Sequence, residues 1–282
     1  MKDSRALLRE AGLRPKKSFG QNFLVGEHVA RAIATACVPD EEVGRARVVE
    51  LGAGVGALTA LLVERAAHTV AIERDRELVP VLRDALAPAI AEGRLEVVEG
   101  DAQSADLPLG DAPPRVLCGN LPYQITGQLL RRAVENASRL ERAVFMVQLE
   151  VAERLTAAPS TKDYGALTVF VRAAFDVDRV MTVSRGNFHP PPDVTSAVVR
   201  LRALRPPRAE ETPTFRALVR GAFEARRKTL RNAWSGVGPR DRIEAAANAA
   251  GVSLDARGET LDVDAYARVA RALVEDALGK AE

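Results

Sequence analysis

At 282 residues, with 40 Lys/Arg against 38 Asp/Glu and a net charge of +2, the chain is long enough for one sizeable α/β domain and a smaller companion. No apolar run approaches the roughly 20 residues that span a bilayer, and the basic first 20 residues lack the apolar stretch of a signal peptide. Cys37 and Cys118 stand far apart, outside any Cys-x-x-Cys, and His28, His68 and His189 have no ligand spacing, so the expectation is a cytoplasmic enzyme in a reducing compartment, without a metal site.

The chain opens on a basic lead-in, residues 1–23, carrying six Lys/Arg against two acids and ending in Lys16-Lys17-Ser18-Phe19-Gly20-Gln21-Asn22-Phe23-Leu24. A helix follows over 27–37. Then strand and helix patterns alternate: a strand at Arg47–Leu51, a helix at Leu58–Ala66, a strand at Thr69–Glu73, and a helix at Glu77–Ala91 that tolerates Pro80 in its first turn. Strands at Leu95–Glu99 and Arg115–Gly119 come next, then a helix at Gly127–Asn136, a strand at Arg142–Gln148 and a helix at Glu150–Ala157. Two late strands, Ala173–Val183 and Thr195–Leu204, fit an antiparallel pair at the sheet edge. Repeated βα units predict an α/β fold, a Rossmann-like, doubly wound, mostly parallel sheet.

The Pro-rich stretch 205–213 reads as a linker, which divides the chain into 1–206 and a small all-helical domain, 207–282. Thr212 caps the first of these helices with Pro213 at its first position. Phe215, Leu218, Val219, Ala222, Phe223, Leu230 and Trp234 fall on one face, away from Arg216, Arg220, Arg227, Lys228 and Arg231. Further helices fit Asp241–Ala250, stopped by Gly251, and Val263–Leu278, capped by Asp262. Residues 200–231 carry ten Lys/Arg against three acids, so with the lead-in they make two basic segments on an otherwise acidic body. That distribution suits a polyanionic partner touched at two places, with Arg220, Arg227, Lys228 and Arg231 as candidate contacts to it.

Glu50-Leu-Gly52-Ala-Gly54-Val-Gly56 closes the first strand of the alternating region and opens a helix, allowing a ligand close to the backbone. Gly52-x-Gly54-x-x-Ala57 with Glu73 after the next strand also satisfies the loose dinucleotide fingerprint, so a nicotinamide enzyme stays open on those residues alone. Further acids sharpen the choice. Asp101 follows the third strand, and Glu50 would offset a cationic ligand rather than a pyrophosphate. After the fourth strand comes Asn120-Leu121-Pro122-Tyr123. Asn120 and the Leu121 or Pro122 carbonyl can accept both hydrogens of an exocyclic amine while Tyr123 stacks on the ring. Acids at three strand ends and this tetrapeptide at the fourth describe a pocket for S-adenosylmethionine and adenine better than one for nicotinamide.

With these motifs in place, the chain closely resembles the small-subunit rRNA adenine-N6,N6-dimethyltransferases, the kasugamycin-sensitivity family, which are class I methyltransferases. The resemblance rests on Phe19-Gly-Gln-Asn-Phe-Leu24, Glu50-Leu-Gly-Ala-Gly-Val-Gly56, Glu73, Asp101, Asn120-Leu-Pro-Tyr123, Gln148–Leu155, Phe188-His-Pro-Pro-Pro192, Ser196-Ala-Val-Val199 and Arg226–Asn232. It implies S-adenosylmethionine held by Asn22, Leu24, Gly52, Gly54, Glu73, Asp101 and Asn120. It also implies a target adenine between Tyr123 and Phe188, and 16S rRNA in an immature small subunit as partner of a monomer. The departures are Leu149 where Lys is usual, Thr195 where Asp is common, and Gln124-Ile-Thr in place of Asn-Ile-Ser. Rival readings are a large-subunit enzyme of the macrolide-resistance type, a DNA adenine methyltransferase, and an RNA-binding assembly checkpoint in which catalysis is secondary.

Overall fold

The structure, a computed structural model, describes residues 3–278. These fall into two compact units: one of the residues up to Ala152 with Val177–Ala203, the other of Glu153–Asp176 with the residues from Leu204 onward.

The first unit begins with α1 (Ser4–Glu10) and the short β1 (Phe23–Leu24), both inside the lead-in that the sequence left without structure. Then come α2 (Glu27–Cys37), β2 (Arg47–Leu51), α3 (Thr59–Arg65), β3 (His68–Glu73), α4 (Leu78–Ala85), α5 (Ala87–Ala91), β4 (Leu95–Glu99), β5 (Arg115–Asn120), α6 (Thr126–Glu135) and β6 (Arg142–Gln148). After α7 (Leu149–Thr156) and α8 (Ala166–Ala174), the chain adds β7 (Phe175–Val183), β8 (Phe188–His189) and β9 (Ser196–Ala203). One seven-stranded sheet runs β4-β3-β2-β5-β6-β9-β7. Its first five strands are parallel neighbours and β9 runs antiparallel to β6. Val48, Val49, Val116, Leu117, Val144 and Phe145 are fully buried, as expected of central strands covered on both faces.

From β2 the chain winds outward through β3 and β4, then returns beside β2 as β5 and winds the other way to β6. The carboxyl ends of β2 and β5 therefore flank the point where strand order reverses, where open α/β sheets form their ligand crevice. The predicted helix 77–91 is two helices that meet at Leu86 (φ −120°, ψ 22°). The reason is Pro88, which has no N–H to continue the ladder and whose ring would crowd the carbonyl of Asp84.

The second unit holds α9 (Pro213–Glu224), α10 (Leu230–Ala233), α11 (Arg240–Ala249) and α12 (Val263–Leu278). Thr212 Oγ1 accepts from Phe215 N at 3.1 Å and Asp262 Oδ1 accepts from Ala265 N at 2.7 Å, as the capping residues predict. The apolar face from Phe215 to Trp234 is not one helix, because the chain breaks between α9 and α10. Residues 153–176 join this unit, which corrects the single division at 206. Tyr164, Val169 and Ala173 are buried in the same core as Phe215, Leu218, Trp234 and Tyr266. The Val-rich run around α8 offered no turn signal to separate it from the strand that follows. Among the described residues no helix is long and apolar enough to cross a membrane, and no group of three or more His, Cys, Asp or Glu is placed to hold a metal ion.

Candidate active site

One cavity, wholly within the first unit, is lined by the Gly52–Val55 loop, Glu50, Glu73, Asp101 and Asn120–Ile125, and by Ser18–Leu24 of the lead-in. Residues 73, 101 and 120 thus meet at a single place, as do Asn22, Leu24, Gly52 and Gly54.

The glycine loop is shaped by its backbone. Gly52 (φ +77°) and Gly54 (φ +60°) take left-handed conformations that side chains rarely adopt. A Cβ at Gly52 would meet no atom within 4 Å; it would project into the cavity the residue lines. Gly54 N donates to Glu73 Oε2 at 2.8 Å, and Asp75 N donates to Oε1 at 2.8 Å. Both donors fix the Glu73 carboxylate at the end of β3, and each oxygen keeps a further acceptor site for ligand hydroxyls. Burial raises the Glu73 carboxyl above its ordinary value, opposed by those backbone hydrogen bonds. Glu50, 2% exposed, is pushed up to about 8 by desolvation, although Thr59 Oγ1 donates to its Oε2 at 2.6 Å. Asp101 is half-buried. Its Oδ1 accepts from Gln103 N at 2.9 Å, so it caps a turn as well as lining the cavity.

The Asn-Leu-Pro-Tyr turn is held from three sides. Asn120 Nδ2 donates to the Asn22 carbonyl at 2.9 Å, which leaves the amide oxygen as its acceptor end. Leu121 N donates to Met146 O at 3.0 Å. The Pro122 carbonyl accepts from Ile125 N and Thr126 Oγ1, both at 3.1 Å, so it starts the next helix. Of the two carbonyls that the sequence left open, Leu121 O is the one beside Asn120 without that commitment. Tyr123 shares a 2.7 Å hydrogen bond with Ser196 Oγ, and burial keeps its hydroxyl above its ordinary value.

Other predicted residues lie elsewhere. Phe188, on β8, is 1% exposed; it pairs with Leu24 across the β1–β8 ladder and packs in the core with Met146 and Val198, outside the cavity lining. Arg231, a candidate RNA contact, is paired with Glu244 at 2.7 Å and Asp255 at 3.5 Å. Arg220, Arg227 and Lys228 are exposed, and among the described residues none of the three is in an ion pair. Asp75 was missed, and Lys16, Gln21 and Ser196 stood in motifs without a role assigned to them. Ser196 and Asp75 are small polar residues whose partners lie 73 and 54–59 residues away, distances no local pattern spans.

A mostly parallel sheet in this order, with a glycine loop after β2 and carboxylates at successive strand ends, defines a Rossmann-like class I methyltransferase with a C-terminal helical region. The profile for ribosomal RNA adenine dimethylases matches residues 12–275. Across 281 residues the chain is 41% identical to the ribosomal RNA small subunit methyltransferase A of Myxococcus xanthus (strain DK1622), covering 97% of this chain and 96% of that one. The protein of the same name from Geobacter metallireducens is 41% identical over 278 residues, covering 95% and 98%. Among solved structures, a dimethyladenosine transferase from Plasmodium falciparum shares the fold with a TM-score of 0.77 at 24% identity, covering 92% of this chain and 98% of that one. The 23S rRNA methyltransferase ErmE superposes with a TM-score of 0.66 at 30% identity, covering 90% and 100%. The chain belongs to the ribosomal RNA adenine dimethylase family, and it is an S-adenosylmethionine-dependent rRNA adenine methyltransferase of ribosome biogenesis.

Proposed function

We propose that this enzyme converts two adjacent adenosines in a hairpin loop near the 3′ end of 16S rRNA to N6,N6-dimethyladenosine, acting as a cytoplasmic monomer on an immature small subunit. The names of the curated relatives and their 41% identity along almost the whole chain support the small subunit. The 30% identity to a 23S rRNA methyltransferase supplies the second reading, a large-subunit substrate.

The observation that carries the chemistry is the fixed amide of Asn120. With Nδ2 tied to Asn22 O, the oxygen and the neighbouring Leu121 carbonyl form a two-acceptor edge for the adenine amine. The adenine amine is a poor nucleophile because its lone pair delocalises into the ring. Accepting both N–H groups favours a more pyramidal nitrogen and localises the lone pair. Pro122 sets the turn, and Tyr123, its hydroxyl anchored on Ser196, offers a ring face worth about 1–3 kcal/mol to a stacked base. Phe188 supplies the opposite face only once it is uncovered from the core it occupies.

The donor site fits S-adenosylmethionine on this structure's own features: open space over the Gly52 backbone, and acidic side chains at Glu73 and Asp101 suited to a cationic nucleoside. Glu73 would hold the ribose hydroxyls and Asp101 the adenine amine of the cofactor. Asn22 and Leu24 would cover it, and Asn120 would stand between cofactor and base. When bound, the cofactor supplies an electrophilic methyl group. The protein's contribution is orientation for in-line displacement, and no general base is required because the methylated amine loses its proton readily to water. The base must leave its stack, which is easiest in a loop or single strand. Exposed Arg220, Arg227 and Lys228 are proposed to hold rRNA phosphates.

The test is mass spectrometry of rRNA from cells lacking the gene. Loss of N6,N6-dimethyladenosine from 16S rRNA alone is expected; its persistence there, or its loss from 23S rRNA instead, overturns the small-subunit assignment.

A further inference from the structure

Asp75 lies two residues beyond β3, is 3% exposed, and has both carboxylate oxygens engaged by residues far away in sequence. Lys16 Nζ donates to Oδ1 at 2.7 Å and Gln21 Nε2 donates to Oδ2 at 2.7 Å, while Glu77 N completes the set at 3.2 Å. Gln21 Oε1 in turn accepts from Lys16 N at 2.8 Å, so Lys16 and Gln21 close a turn that docks on Asp75 as one piece. Burial works against the ionised carboxylate, but the hydrogen bonds from Lys16 and Gln21 outweigh it and hold the carboxyl below its ordinary value. Lys16 also pairs with Glu77, and Arg74 lies 4.4 Å from the centre of the Phe19 ring within the same turn.

The docked turn leads into both halves of the site. Ser18 to Asn22 line the cavity, and the Asn22 carbonyl takes the Asn120 amide hydrogen that decides which end of that amide faces a ligand. At the other side, Asp75 N donates to Glu73 Oε1. Asp75 thus ties the cover of the cavity, through its carboxylate, to the end of β3 that bears Glu73 and, through the cover, to Asn120.

We infer that Asp75 is a positioning residue: it latches residues 16–24 over the cofactor cavity and, through Asn22, sets the orientation of the Asn120 amide. The inference rests on the cofactor reading given above. Two transfers to one base require the demethylated cofactor to leave between them, and the contacts of Lys16 and Gln21 with Asp75 are ones that must open for the cover to lift.

The experiment measures the equilibrium affinity and dissociation rate of S-adenosylmethionine for the full chain, Lys16→Met, Asp75→Asn and the double variant, with kcat at saturating cofactor. Each single substitution should speed dissociation on the order of tenfold and lower kcat as well as weakening binding. The double variant should lose clearly less than the product of the two single losses, because both singles remove the Lys16–Asp75 contact. A residue serving fold stability alone would lower the melting temperature and leave cofactor dissociation from the folded protein unchanged. That result, or losses that multiply in the double variant, overturns the latch. If Asp75→Asn does not fold, Lys16→Met and Gln21→Leu, which each remove one partner of the Asp75 carboxylate, should each speed cofactor dissociation, and unchanged dissociation in both overturns the latch. Failure of the unaltered chain to bind S-adenosylmethionine refutes the cofactor reading instead.

Discussion

Gly119 separates the two lips of the site, and replacing it with alanine tests whether their spacing is what the fold supplies. The last in-register pair between β2 and β5 is Glu50 with Cys118. One residue on, a Cβ at Gly119 would lie 2.4 Å from the Leu51 carbonyl oxygen and 3.3 Å from Leu121 Cδ2. The first contact is short of ordinary van der Waals distance by about 1 Å, and it is with backbone that cannot rotate away. Relief requires the end of β2, which opens the glycine loop, to part from the end of β5, which carries Asn120. Overpacking of this kind costs about 1–3 kcal/mol of stability. A 1 Å misplacement of reacting groups costs roughly 100-fold in rate, equivalent to about 2.7 kcal/mol of activation free energy. Thermal unfolding and single-turnover transfer of labelled methyl, with cofactor in excess, read the two effects separately. Gly127→Ala is the control, since a Cβ there in α6 meets nothing within 4 Å and should be neutral or stabilising by about 0.5–1 kcal/mol. If Gly119→Ala keeps its stability and a rate within threefold of the unaltered chain, the spacing argument is wrong.

Asn120→Ala should reduce methyl transfer at least about 100-fold while rRNA binding persists; substantial turnover in a filter assay with labelled cofactor would remove the amide from the mechanism. Glu50 has a folded-state pKa of about 8 against an ordinary 4.5, so the folded form binds more protons than the unfolded one between those values and stability falls as pH rises through that window. Glu50→Gln should therefore flatten the fall in melting temperature from pH 5 to 8, and an unaltered pH profile contradicts the burial of that carboxyl. Replacing Arg220, Arg227 and Lys228 together should weaken rRNA binding and lower the slope of log affinity against log salt by about 2 units, whereas Arg231→Ala, which breaks pairs to Glu244 and Asp255, should leave the slope alone. Equal slopes for the triple variant and the unaltered chain would place the RNA contacts on another surface.

The sheet was legible in the sequence because its strands are short apolar runs bounded by turn residues, and because strand ends carry Glu50, Glu73, Asp101 and Asn120 at βα spacing. Five parallel strands and the convergence of those four residues follow from that pattern. What was hidden depends on contacts across the chain. Phe23 and Leu24 become a strand only because Phe188 and His189 pair with them. The same ladder draws Phe188 into the core, which a motif read as a base-stacking ring cannot reveal. Pro88 was the overlooked local signal that splits α4 from α5. In α8, Val169 and Val171 favour a strand by propensity, yet their burial there is in helical structure, where packing overrides intrinsic preference. The charge of Arg231 was visible, but its partners Glu244 and Asp255, 13 and 24 residues away, were not.

Methyl donor and adenine amine are proposed to meet in one cavity between the ends of β2, β3 and β5. A bisubstrate compound that joins adenosine N6 to the cofactor skeleton at the methyl position tests it most directly, by calorimetry against each half alone. The joined compound should bind at least about 100-fold more tightly than S-adenosylmethionine or adenosine, compete with the cofactor, and lose most of that advantage in Asn120→Ala. Affinity no better than that of the cofactor half would show that donor and acceptor do not share the cavity.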